Sequence, residues 1–353
     1  MSDLTEIVES TTRRLIEDTL DPALRRQIEA GGDGEALWVA LDGAGLFDAL
    51  AAGLETGPFA GLDEAVAFAR AAGAAAAPTP LAETLVARWI AAATGLELGP
   101  YPVAVLPSSP GMRFTARLQG PDLLVSGCDP RLPWLPVSGR ALVLAEGAEG
   151  PVAALVEIPS AMREDRLSVA SEPLSAVSLE ECPAVAQGGA AAEAVCARAS
   201  AMLALVRAAM MVGAAEQTVA ISVQYAGDRK QFGRPIGKFQ AVQQNLALLA
   251  AETAASAAIL DAAVFEILRR GEWSALADAA SARIRLMADE ITRIAHQVHG
   301  AIGFTQEYPL HNLTRRLLAW RDDYGTGRDW SVRLAQPTLG AAWSDLWPMV
   351  TAI

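Results

Sequence analysis

The hydrophobic pattern of this chain changes period twice, and that limits its fold more than any other feature. Through residue 98 the apolar residues recur at helical spacing. Residues 6–20 place Ile7, Leu15 and Ile16 among charges, 22–29 restart after a break, and 37–50, 63–75 and 81–93 follow. Glycines over 53–61 and the Pro78-Thr79-Pro80 break punctuate these runs. At Gly99 the character changes. Prolines and glycines cluster, and short Val- and Leu-rich runs at 103–106, 123–126, 141–145 and 152–158 read as strands joined by turns. From about 190 to 268 long helices return, broken only at 227–237, and further helices are expected over 273–299 and 309–320. The expectation is α+β, mostly α. A helical domain covers 1–98, a small middle β domain 99–188 and a helical domain 189–353.

Composition fits close helix packing and excludes several functions. Of 353 residues, 52% are hydrophobic but only 6% aromatic, because alanine dominates. Alanine loses no side-chain entropy in a helix and lets helices approach closely. The balance of 28 basic and 41 acidic residues gives −13, which argues against nucleic acid and anionic membrane surfaces as partners. No stretch reaches about 18 uncharged apolar residues: the candidate at 202–215 carries Arg207 in its middle and ends at Glu216. The acidic N-terminus shows no secretory signal. Cys128, Cys182 and Cys196 are odd in number with no C-x-x-C spacing, so neither a disulfide framework nor a zinc site is expected, and a cytoplasmic location fits. His296, His299 and His311 are the only histidines, so no metal centre is expected.

Two segments carry the densest chemistry. The first runs from Asp228 to Gln240 (DRKQFGRPIGKFQ). An Arg–Lys pair precedes a Gly/Pro-punctuated loop between two helices, and such a loop offers a guanidinium and backbone N–H groups to a phosphate or pyrophosphate. A solvated helix connection is the plainer reading. The second runs from Ala295 to Pro309 (AHQVHGAIGFTQEYP). There a helix ends at Gly300 and Gly303, where backbone can approach a ligand and Gln297 can donate or accept. A glycine cap beside two partly buried histidines is the alternative.

Together the strings R-x-Q-F-G-x-P-I-x-x-F-Q and Q-V-H-G-x-I-G-F-T-x-E-x-P-L resemble the acyl-CoA dehydrogenase family. These are FAD enzymes with an N-terminal helical domain, a middle β domain and a C-terminal four-helix domain that binds FAD and oligomerises. The 68-residue separation of Arg229 and Gln297 also fits. The resemblance implies that Arg229, Gln231 and Phe232 meet the pyrophosphate and adenosine side of FAD in a neighbouring subunit. Phe239 and Gln240 line the same region, and Gln297, Gly300, Ala301 and Gly303 lie along the ADP moiety. Trp134 stands where an aromatic residue flanks the flavin, with a core tryptophan as the equal alternative, and Thr326 falls in the Gly-Thr pair near the cofactor.

The departures from the family carry as much information. Removing the α-proton of an acyl-CoA thioester needs a carboxylate whose pKa is lifted by desolvation. In most members a glutamate precedes the Gly-Thr pair, about 95 residues beyond the arginine, and that position is Tyr324. A phenol with a pKa near 10 is disfavoured as a base at pH 7 by about 4 kcal/mol. Other members carry the base 26 residues before the arginine, and here that is Leu203. Asp323 is the nearest substitute. The Asp and Arg that touch acyl-CoA in many members are matched by Ala201 and Ala204, while Arg207, one turn on, reads as an ion-paired helix residue. The flavin-contacting segments of the middle domain are degenerate around 106–113 and 125–135.

These features imply one subunit of a heteromeric acyl-CoA dehydrogenase, similar to the bacterial enzymes of steroid side-chain breakdown with two chains of each kind. The partner chain then supplies the glutamate, and an electron-transfer flavoprotein accepts the electrons. A self-sufficient homo-oligomeric dehydrogenase with a relocated base is the alternative, and a flavin monooxygenase of the same fold, which needs no glutamate, stands beside it. A scaffold subunit without flavin is a third.

Overall fold

The computed structural model describes residues 3–32, 34–57, 59–108, 111–120, 122–188, 193, 195, 197–339, 344–345 and 347–348. Cys196, and Ser109 and Pro110 of the degenerate 106–113 segment, lie outside the described residues. The chain forms two compact units. The first comprises Met1–Ala69, Pro78–Arg207 and Asp323–Gly325, the second Arg70–Ala77, Ala208–Asp322 and Thr326–Ile353.

In the first unit, α1 (Asp3–Thr19), α2 (Pro22–Glu29), α3 (Glu35–Gly43), α4 (Ala49–Ala52), the start of α5 (Leu62–Ala74) and α6 (Leu81–Thr94) precede the sheet. Asp21 caps α2 by accepting from the backbone N–H groups of Ala23 and Leu24, with Pro22 in the first turn. The helix expected over 37–50 ends at Gly43, because Gly45 takes a left-handed φ of +71° and turns the chain. Trp38, Phe47 and Phe68 pack as an aromatic cluster, with the Arg88 guanidinium near the Trp38 and Phe47 rings.

Strands β1 (Ala104–Leu106), β2 (Phe114–Gln119), β3 (Asp122–Pro133), β4 (Arg140–Gly147), β5 (Gly150–Glu157), β6 (Arg163–Leu167) and β7 (Pro173–Gly188) form one sheet, with the short helix α7 (Leu135–Ser138) between β3 and β4. Its order is β1-β4-β2-β3-β7-β5, with β6 on β7, and β4 also pairs β5. The β2–β4 link is a single parallel register pair, Thr115 with Glu146, so five strands close into a ring. Alternate residues point inward. Ala141, Val143 and Ala145 from β4, Ala154 and Val156 from β5, Phe114 and Ala116 from β2, and Val177 and Leu179 from β7 form the core.

In the second unit the helices are α8 (Ala199–Asp228, whose first residues belong to the first unit), α9 (Gln240–Arg270), α10 (Ala275–His299), α11 (Leu310–Trp320) and α12 (Gly327–Ala335). A hairpin, β8 (Lys230–Gln231) and β9 (Arg234–Pro235), joins α8 to α9. Gly73 and Gly213 let α5 and α8 cross backbone to backbone: a Cβ at Gly73 would lie 2.0 Å from the Met210 carbonyl oxygen, and one at Gly213 1.9 Å from that of Arg70. Both α8 and α9 have the length and hydropathy of a membrane span, although neither is free of charge, and 89% of the apolar window of α8 is buried within the protein.

Candidate functional site

The positions where a base is expected are closed. Leu203 is fully buried on α8 and Tyr324 is 1% exposed. Tyr324 takes a left-handed φ of +58°, and its hydroxyl donates to Glu83 Oε1 on α6. Arg207, one turn beyond Leu203 on the same helix face, donates from Nη2 to the same oxygen at 2.9 Å, and its guanidinium lies 5.5 Å from the Tyr324 ring centre. Arg207 Nε lies 3.4 Å from Asp323 Oδ2, while Arg131 on β3 donates from Nε and Nη2 to Asp323 Oδ1 at 3.1 and 3.0 Å.

Electrostatics keeps this cluster self-contained. Burial pushes the Glu83 carboxyl upward, opposed by the charge of Arg207 and the Tyr324 hydroxyl. Burial works against the charge of Arg207, but Glu83, Tyr324, Asp323 and Glu172 outweigh it and its pKa rises. Burial and then the Glu83 charge drive the Tyr324 phenol well above its ordinary range, further from use as a base. Asp323, 3% exposed and held by two arginines, is not open to a substrate proton, which removes it as the relocated base. Sequence reading anticipated an ion pair for Arg207 but missed Glu83. The available signal was a lone acid inside the apolar run of α6, since a buried carboxylate requires a partner.

The residues expected to meet FAD lie mostly in the second unit and are built differently. Arg229 directly follows α8; its N–H bonds to the Tyr225 carbonyl, and its own carbonyl accepts from Ile236 N–H at 2.8 Å. Phe232 and Gly233 form the two-residue hairpin turn with φ of +51° and +78°, the geometry of a type I′ turn. A bulky residue there costs about 1–2 kcal/mol, and Phe232 is 91% exposed. Phe239 is half-buried, in edge contact with Phe232 and 4.3 Å from the Arg234 guanidinium. Arg229, Gln231 and Gln240 are exposed, and no ion-pair partner of Arg229 occurs among the described residues.

The two segments meet through their aromatic residues. Tyr225, one turn before Arg229, stacks on His299 at 4.6 Å, and His299 Nε2 lies 3.3 Å from the Tyr308 hydroxyl. That contact brings the C-terminal turns of α8 and α10 together, so Gln297, Gly300 and Ala301, all exposed, lie at the same end as Arg229. Gly300 needs its flexibility, with φ +66° and ψ −144°. Gly303 is buried, and a Cβ there would meet Leu310 Cδ2 at 2.9 Å and His296 Nδ1 at 3.1 Å. Burial lowers the pKa of both His296 and His299, with His299 and His311 adding to the shift at His296.

Two candidates stand apart. Trp134 is 2% exposed in the first unit, at the start of α7 with φ +63°, so its ring belongs to the protein interior. Thr326 is exposed in the second unit, where it forms a capping box on α12 with Asp329: the Asp329 N–H donates to Thr326 Oγ1 at 3.3 Å, and the Thr326 N–H and hydroxyl donate to Asp329 Oδ2 at 2.8 and 2.7 Å.

Successive helices, a closed ring of strands and a second set of long helices define the acyl-CoA dehydrogenase fold. The solved structure of the Tcur3481-Tcur3483 steroid ACAD matches 95% of this chain and 97% of its own, with a TM-score of 0.79 and 25% identity. One chain of the ChsE4-ChsE5 complex from Mycobacterium tuberculosis matches 97% of this chain and 99% of its own, with a TM-score of 0.84 and 19% identity. Residues 195–326 match the acyl-CoA dehydrogenase C-terminal domain, and over its length the chain is similar to acyl-CoA dehydrogenases. The acyl-CoA dehydrogenase IpdE2 of Mycobacterium tuberculosis is 35% identical over 113 residues, 32% of this chain and 34% of the relative. Matches to such curated relatives span about a third or less of their length.

Proposed function

We propose that this chain is one subunit of a hetero-oligomeric, FAD-dependent acyl-CoA dehydrogenase, and that a partner chain brings the carboxylate that removes the α-proton. The observation that carries this reading is the contrast between its two sites. Tyr324 and Leu203, at the two base positions, are buried, and Tyr324 is bonded into a charge cluster. Arg229, Gln231 and Phe232 face solvent. The donor set suits FAD: a guanidinium without an ion-pair partner among the described residues, amide side chains, exposed aromatic rings and open backbone at Gly300. When bound, FAD supplies the hydride acceptor for oxidation of the Cα–Cβ bond. Arg229 neutralises pyrophosphate charge, Gln231, Gln240 and Gln297 orient the nucleotide by hydrogen bonds, and Phe232 and Phe239 cover its apolar faces. Two-component names and titles among the structural relatives support the hetero-oligomer, and the steroid wording of one supports a steroid-derived acyl group. An electron-transfer flavoprotein is the acceptor in this reading, and the cytoplasm its location.

The test is the visible spectrum of the purified chain, alone and co-produced with a family member that carries glutamate at the position of Tyr324. Flavin absorbance in the two-chain complex is expected. Its absence from every combination would leave the scaffold reading.

A further inference from the structure

We propose that Glu83, Arg207, Asp323 and Tyr324 form a plug that fills this chain's own base site, so that acyl-CoA is taken only by the partner's site. The substrate class rests on the function proposed above; the plug itself rests on the packing. A pocket awaiting an acyl chain is hollow and lined by apolar groups. Here the Glu83 and Arg207 side chains are each 1% exposed and bonded to one another, so charged groups fill the space from within the fold. Cavities lined by Pro107, Arg113 and Ser200, by Pro136 and Arg166, and by Tyr101 and Arg140 include none of the four plug residues.

The cluster is also assembled from distant segments. Glu83 and Arg207 are 124 positions apart, Glu83 and Tyr324 241, and Arg131 and Asp323 192. Tyr324 is held in a left-handed backbone conformation that a tyrosine does not adopt by preference, and its hydroxyl is fixed on Glu83. Strain of this kind persists where surrounding contacts over-determine it, as the bond to Glu83 and the nearby Arg207 guanidinium do here. Glu83 Oε2 has no hydrogen-bond partner. A third carboxylate would find Arg207 already shared by Glu83 and Asp323.

The plug is tested by binding, without any need for turnover. The wild-type chain and the two-chain complex are dialysed against an unreactive thioether analogue of acyl-CoA, and bound analogue is counted per chain. None on the chain alone and one per pair in the complex is expected. Saturable binding to the chain alone, or one analogue per chain in the complex, would overturn the plug. In parallel, Tyr324→Gly leaves a phenol-sized void. Its thermal midpoint should fall and then recover by several degrees in saturating phenol, to which the wild type is indifferent. An unchanged midpoint with no response to phenol would also overturn the plug. If Tyr324→Gly does not fold, Tyr324→Phe retains the ring, and analogue binding to that chain alone decides against the proposal. A complex that binds no analogue while phenol rescues Tyr324→Gly removes the dehydrogenase reading and leaves the plug standing.

Discussion

Arg207 lies within the 30-residue helix α8 and Arg229 immediately follows it, yet they meet opposite environments. Arg207 is fully buried, and its charge is matched by Glu83 and Asp323. Arg229 is exposed beside a hairpin whose turn holds an aromatic residue in solvent. A buried guanidinium with two carboxylates has its electrostatic partners inside the fold, so its work is structural. An exposed guanidinium beside strained, solvated aromatic backbone is arranged for a partner that the fold does not contain. Acyl-CoA dehydrogenation needs both an anion cradle and a base, and in the function proposed for this chain it contributes only the first.

The largest effect that could break this contrast is expected at Arg207. Arg207→Met leaves Glu83 and Asp323 buried beside an apolar side chain, and the loss of stability should be about 3–5 kcal/mol in urea unfolding. Burial raises the Glu83 pKa and Arg207 opposes the rise, so the variant's carboxyl moves higher still. A carboxyl raised on folding is stabilising below its unfolded pKa and loses that contribution as pH climbs through the folded value. The variant's deficit should therefore widen from mildly acidic to neutral pH. A small, pH-independent change would show that the cluster is not a charge lock.

Tyr324→Glu comes next. Restoring the family's acid places a third carboxylate against an arginine already shared by two. It should cost about 2 kcal/mol or more and yield no dehydrogenase activity in the isolated chain. Recovery of turnover would mean that the site opens. In the second unit, Arg229→Ala should weaken flavin retention by about 1.5–3 kcal/mol, or roughly 10- to 150-fold, the range for hydrogen bonds to charged groups. Arg229→Lys should fall between, since an ammonium lacks the fork. Unchanged flavin occupancy would remove Arg229 from the site. The smallest effect is expected at Thr326: Thr326→Ala should lower stability by about 1 kcal/mol through the lost cap, with Ser restoring it. A larger effect on flavin than on stability would give Thr326 a cofactor role beyond its cap.

Much of the fold was legible because long helices repeat their apolar face many times. The runs expected at 22–29, 273–299 and 309–320 correspond closely to Pro22–Glu29, Ala275–His299 and Leu310–Trp320. Short strands were harder. The β6 run Arg-Glu-Asp-Arg-Leu has no apolar alternation, because it lies largely exposed along β7. In β7, Glu180, Glu181 and Pro183 interrupt the apolar pattern of a strand that pairs with three others. The Arg229–Gln240 motif was readable for a similar reason, since its geometry is set by its own turn. The buried cluster was not. A lone Glu83 or Arg207 announces that a partner is needed, but the partner's identity is a tertiary fact. Trp134 and Gly303 show the same limit, since an aromatic beside prolines and a glycine after a helix read alike whether they face a ligand or the core.

The central claim is that this chain holds the flavin but does not supply the base. The most direct measurement is the rate of acyl-CoA oxidation with an artificial electron acceptor, for the purified chain and for its complex with a glutamate-bearing partner. Turnover confined to the complex, and abolished when the partner's glutamate becomes glutamine, is the predicted result. Turnover by this chain alone would contradict it.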